Sequence, residues 1–345
     1  MILLLGAAGF IGQAFTKELR RRGCGFIPLT RGTLDYTRLD LLFDYIRETR
    51  PAFVINAAGY PGKPNVDACE LAREQTLCAN TLLPQTISRV CLMRNIPWGH
   101  VSSGSIYQGA KLVEAGELLV ERDLSRKQVR DLFAAHPEQV HGFTELDEPN
   151  FSFLYPPCNF YSGSKALAEA AITGVGRCYI WRPGIPFNEQ DHSRNFLSKI
   201  QRYPKVYDSL TSASHLEDFV RACLDLWESH APFGIYNVAN PGAVTTRQIV
   251  ELLERILKPN RRFEFWQDDQ EFYRFAATAP RSHCILDVSK LLAAGVKMRT
   301  VTEALEDALF RWRSNTPALQ FFEPVHSSSS GSIIPLASGT RWPKR

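Results

Sequence analysis

Residues 1–23 read MILLLGAAGFIGQAFTKELRRRG. The apolar run Ile2 to Leu5 is followed by Gly6, Gly9 and Gly12 in the spacing G-x-x-G-x-x-G. Ile11, Ala14, Phe15 and Leu19 then recur at helical spacing until Gly23. A short apolar run bounded by glycine suits a buried strand, and apolar residues three and four apart suit one face of a helix. The stretch therefore reads as strand, tight turn, amphipathic helix. At such a junction the backbone can approach a pyrophosphate, and free amides at the helix N-terminus can hold its charge. Glycine triplets also make ordinary turns, so it is the position at the first strand–helix junction that favours a nucleotide.

The same alternation continues outward. FIPLT (residues 26–30) is the next strand, and YTRLDLLFDYIRETR (36–50) is a helix with Leu39, Leu42, Phe43 and Ile46 on one face. AFVINAAG (52–59) is a strand ending in small residues, followed by ISRVCLMRN (87–95) and WGHVSS (98–103). Repeated strand–helix units with apolar strands predict an α/β fold, a Rossmann doubly wound parallel sheet covered by helices on both faces. Ligands then lie beyond the carboxyl ends of the strands. Residues 1–180 form this domain, with an insertion at about 108–157 that is charged and carries one expected helix, SRKQVRDLFAAH (125–136), over the sheet's edge. Long inserts of this kind are often active-site flaps. Residues 181–322 belong mainly to a smaller mixed α/β substrate-binding lobe. Residues 323–345, rich in Ser, Pro and Gly without periodicity, are expected to be disordered.

Composition narrows the function. The 345 residues are 44% hydrophobic and 22% charged, with a net charge of +4 and no separate Lys/Arg block. That balance argues against nucleic acid as a partner. No apolar run approaches the ~20 residues of a membrane helix, and the opening lacks the basic flank of a signal peptide. The eight cysteines (Cys24, Cys69, Cys78, Cys91, Cys158, Cys178, Cys223, Cys284) include no C-x-x-C pair. They read as reduced, buried cysteines of a cytoplasmic protein. The eight histidines show no clustered ligand spacing, so no metal is expected.

The second strand bears on cofactor choice. A site for NAD usually places an acid at that strand's end to bind the ribose hydroxyls, whereas an arginine accommodates the 2′-phosphate of NADP(H). Here the strand ends Pro28-Leu29-Thr30-Arg31 with no acid. NADP(H) is therefore expected over NAD, the plainer alternative being that Arg31 is a solvated surface residue.

Further along, Tyr161-Ser-Gly-Ser-Lys165 opens a helix and sets Tyr161 and Lys165 one turn apart on the same face. An adjacent ammonium stabilises a phenolate and lowers a tyrosine pKa from about 10. Tyr161 could then exchange a proton with a carbonyl or hydroxyl oxygen while hydride moves to or from nicotinamide. A surface helix pair has the same spacing, but VSSGSIY (101–107) places Ser103 past a strand end, where its hydroxyl can reach that oxygen. The glycine triplet, the N-A-A strand end, S-S-x-x-I-Y and Y-x-x-x-K, in this order, make a specific signal.

With NAAGYPGKPNVDACE, GFTELDEPNF, NFYSGSKALAE, RNFLSKIQRYPKV, GIYNVANPGAVT and APRSHCILDVSKL, the chain resembles the extended short-chain dehydrogenase/reductase family. Within it the likeness is to the dTDP-4-dehydrorhamnose reductase branch, and most of all to plant-type nucleotide-rhamnose synthases with 3,5-epimerase and 4-keto-reductase activity. It covers roughly residues 1–312, leaving the insertion and tail unmatched. The resemblance implies a catalytic set of Ser103, Tyr161 and Lys165. It implies Gly6, Gly9, Phe10, Ile11 and Gly12 at the phosphate turn, Thr30 and Arg31 at the 2′-phosphate and Asp35 beside adenine. It also implies Ala57, Ala58 and Tyr60 along the cofactor, with Tyr161 and Lys165 also touching it. Asn195 and Arg281 fall where the family holds its nucleotide-sugar. A guanidinium suits a diphosphate, although Arg281 could equally join the two lobes by a salt bridge.

One position departs from the resemblance. The bifunctional synthases carry an acid/base cysteine two residues before the aromatic of the S/T-x-x-[VI]-[YF] run, and here that residue is Ser105. A hydroxyl is a far poorer proton-transfer group near neutral pH than a thiol. Lys199, matching the second epimerisation residue, is retained. Gly104-Ser105 also stands where 4,6-dehydratases place Asp-Glu, which disfavours water elimination. The implied activity is NADPH-dependent reduction of a nucleotide-diphosphate-linked 4-keto-6-deoxy sugar, in a chain that could form a homodimer. The alternatives are a nucleotide-sugar epimerase using NAD(P) and a non-catalytic NADP-binding regulatory subunit.

Overall fold

The computed structural model describes residues 1–114 and 116–312; the tail at 323–345 lies outside them. Six strands form the central sheet: β1 (Ile2–Leu5), β2 (Phe26–Leu29), β3 (Phe53–Asn56), β4 (Trp98–Val101), β5 (Cys178–Arg182) and β6 (Gly234–Asn237). Their order is β6-β5-β4-β3-β1-β2 and every neighbouring pair is parallel. The chain leaves β1 for β2 on one side and returns to β3 on the other. The crevice beyond the carboxyl ends of β1 and β3 is therefore the switch point at which doubly wound sheets take their ligands.

Side-chain alternation along the strands sends Ile2, Leu4, Phe53 and Ile55 to one face. There they pack on α1 (Phe10–Arg21) and on residues Phe219, Val220 and Cys223. Leu3, Leu5 and Val54 face the other way, against α2 (Leu39–Thr49) and α3 (Leu83–Met93). Because both faces are covered, Leu3, Leu4 and Leu5 are all fully buried, which is why β1 reads as an unbroken apolar run.

The later residues that lie outside the central sheet, here the second lobe, combine short strands and helices. Ile185–Phe187 pairs parallel with Ala213–His215, Lys205–Val206 pairs parallel with Glu264–Phe265, and Leu210–Thr211 pairs antiparallel with Val244–Thr245. Its core gathers Phe187, Leu197, Ile200, Val250, Leu253 and Leu305. Helices Thr246–Leu257 and Val301–Phe310 both start with capping boxes, which satisfy their first free amides reciprocally.

The insertion holds its expected helix, Lys127–Ala135, and also an antiparallel hairpin, Ala110–Glu114 with Glu117–Glu121, which the sequence reading does not contain. Most of it packs on the second lobe and not over the sheet's edge. Leu112, Leu124, Val129 and Val140 meet Leu210 and Ile285, and Arg130 pairs with Asp208. Only its last part reaches the outer strand, where the Asn237 amide donates to Glu145 Oε1 at 2.7 Å and Asn237 Nδ2 to the Phe143 carbonyl at 2.9 Å.

All eight cysteines are unpaired: five are buried, Cys24 and Cys158 are partly so, and Cys78 is exposed. Among the described residues no helix is long and apolar enough to cross a membrane, and no group of three or more His, Cys, Asp or Glu side chains could hold a metal.

An ion pair lies between sheet and helix. Arg182, at the end of β5, reaches Glu169 of α4 (Phe160–Ile172) with Nη2–Oε2 2.6 Å and Nε–Oε2 3.0 Å, both side chains almost fully buried. Ser102 Oγ donates to the same carboxylate. Arg182 Nη1 donates to Tyr107 Oη at 2.8 Å, and that hydroxyl donates to the Asp147 carbonyl at 2.7 Å. Removing one partner leaves an uncompensated buried charge, which typically costs about 3–5 kcal/mol. Glu169→Ala should lose that much in denaturant unfolding; a loss under about 1 kcal/mol would contradict the assignment.

Candidate active site

The glycine turn presses against the end of β3. Gly6 has φ +77°, and a β-carbon on it would lie 2.6 Å from the Ala58 nitrogen; one on Gly12 would lie 2.1 Å from the Gly6 carbonyl oxygen. Neither position accepts a side chain without moving backbone. Helix α1 starts just beyond, at Phe10, with no acid in its first turn. A helix start free of acids suits an anion. Ala57 and Ala58 form the opposite wall: Ala57 N donates to the Leu5 carbonyl at 3.0 Å and Ala58 N to Asn56 Oδ1 at 3.1 Å.

At the end of β2, Arg31 is exposed. Thr30 Oγ1 lies 3.0 Å from Thr33 Oγ1. Asp35 accepts from the Thr37 hydroxyl at 2.5 Å and the Thr37 amide at 3.2 Å, and these bonds hold its pKa below the usual carboxylate value.

The three hydroxyl and amine groups converge at the carboxyl end of β4. Ser103 caps the short turn Gly104–Ile106, its Oγ lying 2.7 Å from Ser105 Oγ. Ser103 also acts on the Tyr161 hydroxyl, lowering its pKa against the effect of burial. Lys165 Nζ donates to the Val101 carbonyl at 2.9 Å. The expectation that Lys165 lowers the Tyr161 pKa is not met. Burial pushes the phenol up to about 12 against the lowering by Ser103, and burial lowers Lys165 to about 8. Desolvation disfavours charge on both groups, while the ammonium is directed at a backbone carbonyl.

Asn80, absent from the sequence reading, joins these parts. It lies in a π-helical turn, Cys78–Leu82, fully buried. Its Oδ1 accepts from the Tyr60 amide at 2.7 Å, and its Nδ2 donates to the Tyr60 carbonyl at 3.0 Å and to Ser164 Oγ at 3.1 Å. Asparagine is a weak helix former, and π turns concentrate at functional sites. An Asn inside an otherwise helical run was the available signal.

The residues expected to hold substrate divide. Asn195 is fully buried and its side chain is used within the protein: Nδ2 donates to the carbonyls of Asn188 and Gln190 at 2.8 and 2.6 Å, and Oδ1 caps α5 (Phe196–Arg202) by accepting from Leu197 N at 3.1 Å. Arg281 forks onto Asp67, Nη1–Oδ1 2.7 Å and Nη2–Oδ2 2.6 Å. This is the salt bridge between parts of the fold, and a diphosphate would have to compete with Asp67 for the guanidinium. Lys199 is only partly exposed, and burial together with Arg194 and Arg281 lowers its pKa. Arg194 was also missed. Its Nη1 donates to the Gly62 carbonyl at 2.6 Å, and its charge lowers the pKa values of both Lys199 and Tyr161.

A doubly wound sheet with a glycine turn at its switch point and Ser, Tyr and Lys at the next strand end defines the extended short-chain dehydrogenase/reductase class. Within it, the chain belongs to the RmlD substrate binding domain family, which matches residues 1–313. It is similar to an Arabidopsis thaliana protein, the trifunctional UDP-glucose 4,6-dehydratase/UDP-4-keto-6-deoxy-D-glucose 3,5-epimerase/UDP-4-keto-L-rhamnose-reductase RHM3. The two are 28% identical over 316 residues, which is 91% of this chain and 42% of that protein. The chain thus spans about two fifths of that relative's length. Among solved structures it is similar to the L780 UDP-rhamnose synthase of Acanthamoeba polyphaga mimivirus, with TM-score 0.75, 21% identity, and coverage of 90% of this chain and 98% of that one. It is also similar to the dTDP-4-dehydrorhamnose reductase of Bacillus anthracis str. Ames in complex with NADP, with TM-score 0.69, 18% identity, and coverage of 90% and 97%.

The buried Lys165 should lose its proton as pH rises through about 8, well below an ordinary lysine at about 10.4. NMR titration of protein labelled at the lysine ε-carbon, with Lys165→Met identifying the signal, measures this directly. A midpoint above 10 would contradict the desolvated placement.

Proposed function

We propose that this chain is an NADPH-dependent reductase of a nucleotide-diphosphate-linked 4-keto-6-deoxy sugar. Residues 1–180 carry the cofactor, and the later lobe presents the sugar nucleotide. The observation that carries this reading is the placement of Lys165, bonded to the Val101 carbonyl two residues before Ser103 and lying against Gly59, next to the Ala58 backbone on which the glycine turn packs. The residues present fit a dinucleotide: a cradle that any β-carbon would fill, a helix start free of acids, and small residues on the facing wall. Gly6, Gly9, Phe10, Ile11 and Gly12 hold the diphosphate, Ala57, Ala58 and Tyr60 flank it, and Thr30, Arg31 and Asp35 surround the adenosine end. NADPH, when bound, supplies hydride to C4.

The chain's own residues do the rest. Ser103 donates a hydrogen bond to the carbonyl oxygen and orients it, and Tyr161 delivers the proton that this oxygen takes up. Burial keeps Tyr161 protonated, so its proton is available to that oxygen. Lys165 holds the ribose hydroxyls. The positive charge of Lys199 faces the substrate's diphosphate.

Ser105 sets the limit of the chemistry. Epimerisation beside a keto group needs a base on one face of the ring and an acid on the other. The Ser105 hydroxyl is bonded to another hydroxyl, Ser103 Oγ, at 2.7 Å, which leaves it without an activating base. The chain is therefore a reductase without the 3,5-epimerase half named for its plant relative.

Cofactor titration by fluorescence should show NADPH bound at least about tenfold more tightly than NADH, a gap of about 1.4 kcal/mol. Arg31→Ala should remove most of that gap, and equal affinities in the wild type would refute the 2′-phosphate assignment. With nucleotide-linked 4-keto-6-deoxy sugars in D₂O, the wild type should oxidise NADPH and reduce C4 while leaving C3 and C5 unlabelled. Tyr161→Phe should abolish turnover and keep NADPH binding. Rapid deuterium uptake at C3 or C5 would make the chain an epimerase–reductase. NADPH binding with no turnover on any such sugar would leave a regulatory subunit.

A further inference from the structure

The segment Asn188–Asn195, from the second lobe, touches the dinucleotide-binding half at three places. Lys17 Nζ of α1 lies 3.6 Å from Glu189 Oε1. The Phe10 ring, on the first residue of α1, stacks on His192 with centroids 4.6 Å apart and planes 3° from parallel. Arg194 Nη1 reaches the Gly62 carbonyl, six residues beyond the end of β3, at 2.6 Å. Phe10 follows β1 and Gly62 follows β3, so the segment crosses the switch-point crevice from one side to the other.

Its shape is held from within. Asn195 Nδ2 binds the carbonyls of Asn188 and Gln190, the His192 amide donates to Ser198 Oγ at 3.0 Å, and the Arg194 amide donates to His192 Nδ1 at 3.0 Å. That last bond makes Nδ1 an acceptor, so the ring is the neutral tautomer with its proton on Nε2. Burial and the charges of Arg194 and Arg202 keep the imidazole neutral, which suits a flat stack on phenylalanine.

We infer that Asn188–Asn195 is a strap that completes the dinucleotide site from the substrate lobe. His192 seals the phosphate turn through Phe10, and Arg194 latches the β3 loop while adding positive charge beside the diphosphate. The inference rests on the cofactor reading above. It makes Asn195 a positioning residue, which is why its amide is spent inside the protein. Cofactor leaves only when the His192 stack and the Arg194 latch open, so the strap governs release far more than capture.

The test is stopped-flow measurement of NADPH association and release on the full chain. His192→Ala and Arg194→Ala should each speed release on the order of tenfold, with association changed less than about threefold. His192→Phe keeps a flat ring on Phe10 while losing the bond to the Arg194 amide, and should release NADPH more slowly than His192→Ala, a rescue that general destabilisation would not give. If an alanine variant does not fold, Arg194→Gln, which keeps part of the aliphatic stem and loses the charged fork, should show the same faster release. Release unchanged within about twofold in the folded variants, or a loss of affinity carried by association alone, overturns the strap while leaving the cofactor reading intact. A wild-type protein that binds no NADPH overturns the cofactor reading and the strap with it.

Discussion

The buried pair of Glu169 and Arg182 is the interaction on which the site depends. Taking two charges out of water is unfavourable, and their attraction offsets it only when the remaining donors and acceptors are also satisfied. Here Ser102, Tyr107 and the Asp147 carbonyl complete the set. Each belongs to a different part of the site. Ser102 precedes Ser103, Glu169 lies one helical turn past Lys165, and Tyr107 ends the turn that carries Ser105. Satisfying one charge pair therefore fixes the relative positions of β4, β5, α4 and the insertion. The orientation of Tyr161 towards Ser103 follows from that arrangement.

On the cofactor side, backbone contact plays the corresponding part. Gly6 lies against Ala58 too closely for any β-carbon, so the turn after β1 and the end of β3 form one surface. Asn80 extends this surface to the catalytic helix by holding both Tyr60 and Ser164. The two arrangements differ in kind, one built on desolvated charge and the other on missing side chains, and they meet at Lys165. A β-carbon on Gly59 would lie 3.7 Å from the Lys165 ammonium, while the Val101 carbonyl that receives that ammonium closes β4.

Much of this was legible in the sequence because the deciding groups are local in the chain. β1, the glycine turn and α1 are contiguous, and Tyr161 and Lys165 share one helical turn. What was illegible depends on contacts that the local pattern does not show. Asn195 and Arg281 have the chemistry of ligand-binding residues, but only tertiary structure shows that Asn188, Gln190 and Asp67 already occupy them. Spacing alone suggested that Lys165 would stabilise a Tyr161 phenolate; it could not show that both groups are buried and that the amine turns to Val101. The hairpin of the insertion escaped because Ala110–Glu114 and Glu117–Glu121 are short, and Leu118, Leu119 and Val120 are exposed. Its strands lack the alternation of polar and apolar residues that marks a half-buried sheet.

The π turn at Cys78–Leu82 has a consequence for how this chain can vary. Such a turn is one residue longer than the α-helical turn it replaces, and each residue of an α-helix advances its azimuth by roughly 100°. Deleting a single residue there would let the ladder close as a regular helix. The buried face of α3, formed by Leu83, Ile87 and Val90, would keep nearly its present direction, because the wide turn absorbs the extra residue locally. Asn80, inside that turn, would lose the direction that aims it at Tyr60 and Ser164. The extra residue is thus a local bulge that turns one side chain to the site while the helical run keeps its core face, and chain length at this point is as constrained as residue identity.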